Sequence, residues 1–300
     1  MMTVDPKRRF RQFLICMMPS VVMMLLQNAA MIFAAQVYVV KLFSEAGTQA
    51  GDDFKSYLLE RLSSANFTVA TLLGYSVVGC VVFYLWYWAL QRKTTDRAGD
   101  SEVAAPRDSL KGYPVTLYVG LMVFVISLNY VCQYMVAVLS KAHPEWLEWL
   151  EELMSSLNLN NEHTWLPAIV YTALLGPICE ELCFRGLTLN LTRRIMTPGM
   201  ANIVQALLFG GMHANPLQSA YAVLVGWLFG RIYLETENLM IVILAHIAYN
   251  SVGIFLERYM LIGDTPFTFF GISFVSMLGA YFGYLLVLKA QQEKAERTGA

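Results

Sequence analysis

Charge is scarce in this chain. Only 14% of its 300 residues are Asp, Glu, Lys or Arg, against the roughly 25% usual in soluble domains. With 57% hydrophobic residues, that shortage excludes an ordinary soluble globule and predicts a polytopic membrane protein. The net charge is −1, so no nucleic-acid partner is expected. No CxxC pair occurs among the five cysteines, Cys16, Cys80, Cys132, Cys179 and Cys183, and all five lie in apolar stretches. A disulfide framework is therefore not expected, and buried inert thiols are the simplest reading. Cys179 and Cys183 are one helical turn apart, a spacing open to a soft metal but more simply explained by helix packing. Internal repeats and low-complexity tracts are lacking, and so is the HExxH helix of many zinc proteases. The basic start, Lys7, Arg8, Arg9 and Arg11, resembles the n-region of a signal peptide. The apolar stretch behind it is too long, and no small-residue cleavage site closes it, so it reads as a first span.

What is present is a series of apolar runs near the ~20 residues that cross a bilayer. They fall at about 13–40, 68–90, 114–139, 165–192, 200–214, 217–234, 238–257 and 267–288. The expected fold is all-α, a polytopic bundle of about eight transmembrane helices. Three units are expected: residues 1–110, a two-span region of unassigned role; 111–290, a six-span core; and 291–300, a tail. The loop at 91–113 carries Arg92, Lys93, Arg97, Arg107 and Lys111, whereas 141–164 carries Lys141 against Glu145, Glu148, Glu151, Glu152 and Glu162. Positive charge stays on the cytoplasmic side, which places both termini there. The segment 143–160 mixes Trp146, Leu147, Trp149, Leu150 and Leu153 with acids. It predicts an amphipathic helix, either lying in the outer interface or capping the bundle.

Against this background, Glu180 and Glu181 stand inside an apolar run. An ionisable side chain at that depth costs at least ~2.5–3.5 kcal/mol, so it needs a partner or a task. Glu181 and Arg185 are four apart and can pair along one helix face. Glu180 points about 100° away. Pro177, three residues earlier, removes a backbone hydrogen bond and bends the helix. Two of the four histidines, His213 and His246, lie in later spans, and His246 shares a face with Asn250. Phe209 stands four residues before His213. Counting from the turn near 195–199 brings Glu180 and His213 to similar depth, and His246 comes near the same level. A carboxylate with a histidine can hold and deprotonate a water. A second histidine and an amide can donate to a developing oxyanion. Two histidines and a glutamate are also a catalytic zinc set, with Glu180, His213 and His246 as the ligands. Each of these residues alone would read as interhelical glue, and it is the set that points to chemistry. Gly226 with Gly230, and Gly279 with Gly283, predict close helix packing, as does Gly210-Gly211 beside His213. Arg231 and Glu235 predict a surface ion pair.

The segment Glu180-Glu181-Leu-Cys-Phe-Arg185 resembles the EExxxR motif of the type II CAAX prenyl protease family, also called the CPBP or Abi family. Phe209-Gly-Gly-Met-His213 resembles its FxxxH motif, and His246-Ile-Ala-Tyr-Asn250 its HxxxN motif. The three occur in order over about 165–255. The resemblance implies an intramembrane endopeptidase of eight helices. In it Glu180 and His213 activate a water, His246 and Asn250 stabilise the oxyanion, and Glu181 and Arg185 support them. The family is catalogued among metallopeptidases and has also been argued to be metal-free. No cofactor is expected here, with zinc as the alternative. Its members remove the terminal tripeptide of prenylated proteins in eukaryotes, and in bacteria they are linked to bacteriocin processing and self-immunity. The expected partners are a peptide or membrane-associated protein substrate and the lipid bilayer, in a bacterial plasma membrane. Two other functions fit the same residues: a proton-coupled transporter, and a silent membrane scaffold or immunity protein.

Overall fold

The computed structural model describes residues 6–46, 62, 64–98, 108–157, 166–213, 215–256, 259–260 and 263–298. Trp165, which opens the expected fourth span, lies outside them, as do Arg107 and Glu162. Among the described residues there is no strand. The helices are α1 (Pro6–Ala46), α2 (Ala65–Ala98), α3 (Val115–Ala142), α4 (Pro144–Ser156), α5 (Leu166–Thr192), α6 (Pro198–Gly211), α7 (Pro216–Thr236), α8 (Leu239–Leu256) and α9 (Pro266–Thr298). Among the described residues six, α1, α2, α3, α5, α8 and α9, are long and apolar enough to cross a membrane. The chain is thus an integral membrane protein and an all-helical bundle. Eight spans were expected. The two not in this set are α6 and α7. With 14 residues, α6 is only ~21 Å long, short of the ~30 Å hydrocarbon layer.

Local sequence explains the helix starts. Proline opens α6 and α7, where its missing N–H costs nothing. Thr197 caps α6 and Asn215 caps α7 through their side-chain oxygens. Asp108 accepts from the Leu239 backbone N–H at the start of α8 and from the Tyr87 hydroxyl of α2, both at 2.8 Å. This contact ties the polar loop before α3 to the helix that carries His246. Within the segment 143–160, Pro144–Ser156 form the expected helix, α4, and 158–160 lie outside the described residues. None of the α4 residues is buried, and the helix packs on α2, α3 and α7.

The glycine pairs mark close approaches. A side chain at Gly226 would meet the Phe209 ring at 2.9 Å and the Ala206 backbone at 3.3 Å, so α7 and α6 lie nearly backbone to backbone there. Gly283 does the same for α9, 2.5 Å from the Phe124 backbone nitrogen of α3. Gly210 meets Ser219 and Val223 of α7, whereas Gly211 faces open space. Arg231 and Glu235 form the expected exposed pair at 2.5 Å. All five cysteines are free thiols.

These contacts predict a difference between two glycines on neighbouring helices. Gly230→Ala forces a methyl into the Asn202 amide and should destabilise the detergent-solubilised protein by about 1–3 kcal/mol, the range for overpacking. Gly211→Ala meets nothing and should leave the thermal midpoint unchanged or slightly raised. Thermal unfolding of both variants checks this, and equal losses would contradict it.

Candidate active site

The two glutamates are adjacent on α5, so their side chains diverge by about 100°. The His246 imidazole of α8 stands between them and meets one with each nitrogen. Its Nδ1 lies 2.7 Å from Glu181 Oε1, and its Nε2 lies 3.6 Å from Glu180 Oε2. Arg185 Nη1 donates to the same Glu181 oxygen at 2.7 Å. The Glu181 and Arg185 side chains are both wholly buried, while that of Glu180 keeps a quarter of its surface exposed. Two carboxylates thus have two different settings. One is locked in a buried ion pair and orients the imidazole, and the other is open.

The Arg185 cation makes further contacts through Nη2 and with two aromatic rings, while its buried Nε has no hydrogen-bond partner among the described residues. Its Nη2 donates to the Gly226 carbonyl at 3.0 Å, and the Phe209 and Phe229 rings flank it at 4.8 and 5.7 Å. Gln205 of α6 donates to the same Gly226 carbonyl at 2.8 Å and to Asn202 at 2.7 Å. Asn202 in turn donates to the Trp227 carbonyl. Gly226 therefore serves two purposes: it admits α6 and presents its carbonyl to two donors.

The break expected at Pro177 is a wide turn. Residues Val170–Leu175 and Leu182–Leu189 are π-helical. The Gly176 N–H reaches back to the Tyr171 carbonyl, five residues away. Pro177 has no N–H to offer the next carbonyl, that of Thr172. The Asn250 amide of α8 supplies the missing donor, 2.7 Å from the Thr172 oxygen. The second π segment is compensated in the same way. Thr188 donates to the Cys183 carbonyl, and Asn190 donates to the carbonyls of Arg185 and Gly186. Irregular backbone survives at membrane depth where side chains satisfy it.

His213 packs against the same Phe209 ring as His246. The Phe209 ring lies 5.0 Å from His213 and 5.9 Å from His246. His213 Nδ1 is 2.9 Å from the Phe209 carbonyl. A carbonyl only accepts, so Nδ1 is the donor in this contact. The expectation paired Glu180 with His213 and His246 with Asn250. The structure brings His246 to both carboxylates, turns one Asn250 N–H toward the helix break, and packs His213 edge-on against the Phe209 ring. Zinc would need three donors each about 2.0–2.2 Å from one point. Among the described residues no group of three His, Cys, Asp or Glu is arranged to hold a metal ion. Glu180, His213 and His246 in this arrangement do not fit that geometry.

Other residues of the site were not singled out from sequence. Asn202 and Gln205 are buried polar residues inside an apolar helix, a signal that was legible. Tyr75 of α2 was not, because nothing local marks it. The Cys179 thiol, next to Glu180, donates to its hydroxyl at 3.7 Å, and Gly79 makes room for that sulfur.

The glutamate–imidazole–glutamate centre lies within an integral membrane helical bundle. The family described as type II CAAX prenyl endopeptidase Rce1-like matches residues 162–252. All three motifs fall inside that stretch, which is under half of the chain. A Bacillus subtilis (strain 168) protein named "Putative membrane peptidase YdiL" is 24% identical over 89 residues, which are 30% of this chain and 36% of that protein. The match therefore spans about a third of the relative's length. No solved structure matches.

Removing Arg185 should be costly because it strands Glu181. Arg185→Met is expected to lose about 3–5 kcal/mol, and Arg185→Met with Glu181→Leu should recover part of that. Thermal unfolding in detergent measures both. A single variant no worse than the double would contradict the buried pairing.

Proposed function

We propose that this chain is an intramembrane endopeptidase that hydrolyses a peptide bond with a water activated by Glu180, without a covalent intermediate. One observation carries the reading. An open carboxylate faces an imidazole whose other nitrogen is fixed by a buried ion pair, Glu180–His246–Glu181–Arg185. Glu180 takes a proton from the water as the water oxygen bonds to the peptide carbonyl carbon. The negative charge then moves to the carbonyl oxygen. His246 is the donor to that oxygen from Nε2 in this reading, with Glu181 orienting the ring through Nδ1. The second N–H of Asn250 is the other donor in this reading. His213, held by the Phe209 carbonyl through Nδ1, orients the water in this reading. Protonated Glu180 finally gives its proton to the leaving amine as the carbon–nitrogen bond breaks.

The substrate is a peptide or a membrane-associated protein. In this reading both termini lie on the cytoplasmic side, which the loop charges support, and the membrane is a bacterial plasma membrane. The family match supports a CAAX-type protease in general. Bacteriocin processing and self-immunity are the bacterial roles that the resemblance adds to the proposal.

The test compares peptide termini. Cells lacking the protein are complemented with wild type or Glu180→Gln at matched abundance, and membrane and secreted peptides are sequenced by mass spectrometry. The expected result is a set of termini present only with wild type, lost by a factor of at least about 10² with Glu180→Gln. Identical termini, with Glu180→Gln still restoring the cellular phenotype, would overturn proteolysis in favour of a scaffold.

A further inference from the structure

The turn between α6 and α7 carries His213, and its shape is set by side chains that belong to none of the three motifs. Asn215 is wholly buried. Its Oδ1 accepts from the backbone N–H groups of Leu217 and Gln218 at 2.8 and 3.1 Å, which starts α7. Its Nδ2 points the other way and donates to the Trp146 carbonyl in the first turn of α4, at 3.0 Å. Ser219 donates to the His213 carbonyl at 2.7 Å and closes the turn from inside. A single amide therefore spans three elements: the cap of α7, the turn that holds His213, and the amphipathic helix α4. Trp146 is itself stacked on His143, with ring centroids 3.9 Å apart, so the acceptor sits in an ordered first turn.

We infer that Asn215 is the positioning residue for His213, and that α4, outside the segment matched to the family, is through it a part of the site's framework. An N-cap alone needs only an acceptor, and Asp or Ser serves as well as Asn. The bridge to Trp146 needs a donor, which Asp lacks and which Ser is too short to bring across. The buried Asn is the residue that does both. The inference rests on the reading of His213 as a member of the site, but its test does not depend on catalysis.

The full-length protein in detergent is compared with Asn215→Asp and Asn215→Ser, two variants that keep the cap and lose the bridge, so that one suffices if the other fails to fold. Thermal unfolding confirms that the cap is retained. Diethyl pyrocarbonate is the probe, and its rate of reaction with His213 is followed by peptide mass spectrometry against a free histidine peptide in the same tube. The expected result is a rate at His213 about fivefold higher in the capping variants, with His246 unchanged, the factor that corresponds to one lost buried hydrogen bond. An unchanged His213 rate in a folded capping variant would overturn the inference and leave Asn215 as a cap only. A protein that proves not to be a protease would leave the labelling result standing.

Discussion

Arg185 and Glu181 meet at a depth where neither has water, and the arrangement of four helices follows from how that pair is satisfied. A buried ion pair recovers its desolvation cost only when further hydrogen bonds complete it. Here Glu181 Oε1 takes a second donor, His246 Nδ1 from α8, and Arg185 Nη2 takes an acceptor, the Gly226 carbonyl from α7. Gln205 of α6 shares that carbonyl. The ion pair thus fixes α6, α7 and α8 around α5 by polar contacts that have no substitute in a hydrocarbon setting. The glycines at 226 and 230 let α6 come close enough to join them. In the proposed reading, the chemistry is a by-product of the same fixation. His246 is held by one glutamate and left facing the other.

The helix break upstream serves the same end by a different route. Pro177 and the wide turn before it free the Thr172 carbonyl, and Asn250 binds it. His246 and Asn250, one turn apart on α8, therefore attach to α5 on either side of Pro177. Two fixed points define how α8 sits against α5. A third lies at the start of α8, where Asp108 receives the Leu239 N–H. The polar residues of α8 thus position a helix first, and only His246 Nε2 and the spare Asn250 N–H remain for a substrate.

Much of this was legible in the sequence because the contacts are local or repeat at helical spacing. Glu181 and Arg185 are four apart and pair as their spacing requires. Gly226 with Gly230 announced close packing, and Pro177 announced the break. The membrane class followed from the shortage of charge. What the sequence did not yield is which histidine meets which glutamate. Depth counting puts side chains at a level but cannot rotate one helix about its axis, and the π segments of α5 change that rotation. His246 therefore sits between the carboxylates where Asn250 had been its expected companion, and Phe209 packs against both histidines. The place of α2 was equally hidden. Tyr75 and Gly79 lie a hundred residues before Cys179, and no short-range pattern links them.

The central claim is that the Glu181–Arg185 pair fixes the His246 ring so that Nδ1 bears the proton and Nε2 faces Glu180. Nitrogen-15 resonances of His246 in selectively labelled protein, assigned with His246→Gln, report this directly. The account predicts a protonated Nδ1 near neutral pH, with the signature lost in Glu181→Gln. A His246 whose Nδ1 is the unprotonated nitrogen, or whose resonances are indifferent to Glu181→Gln, would contradict it.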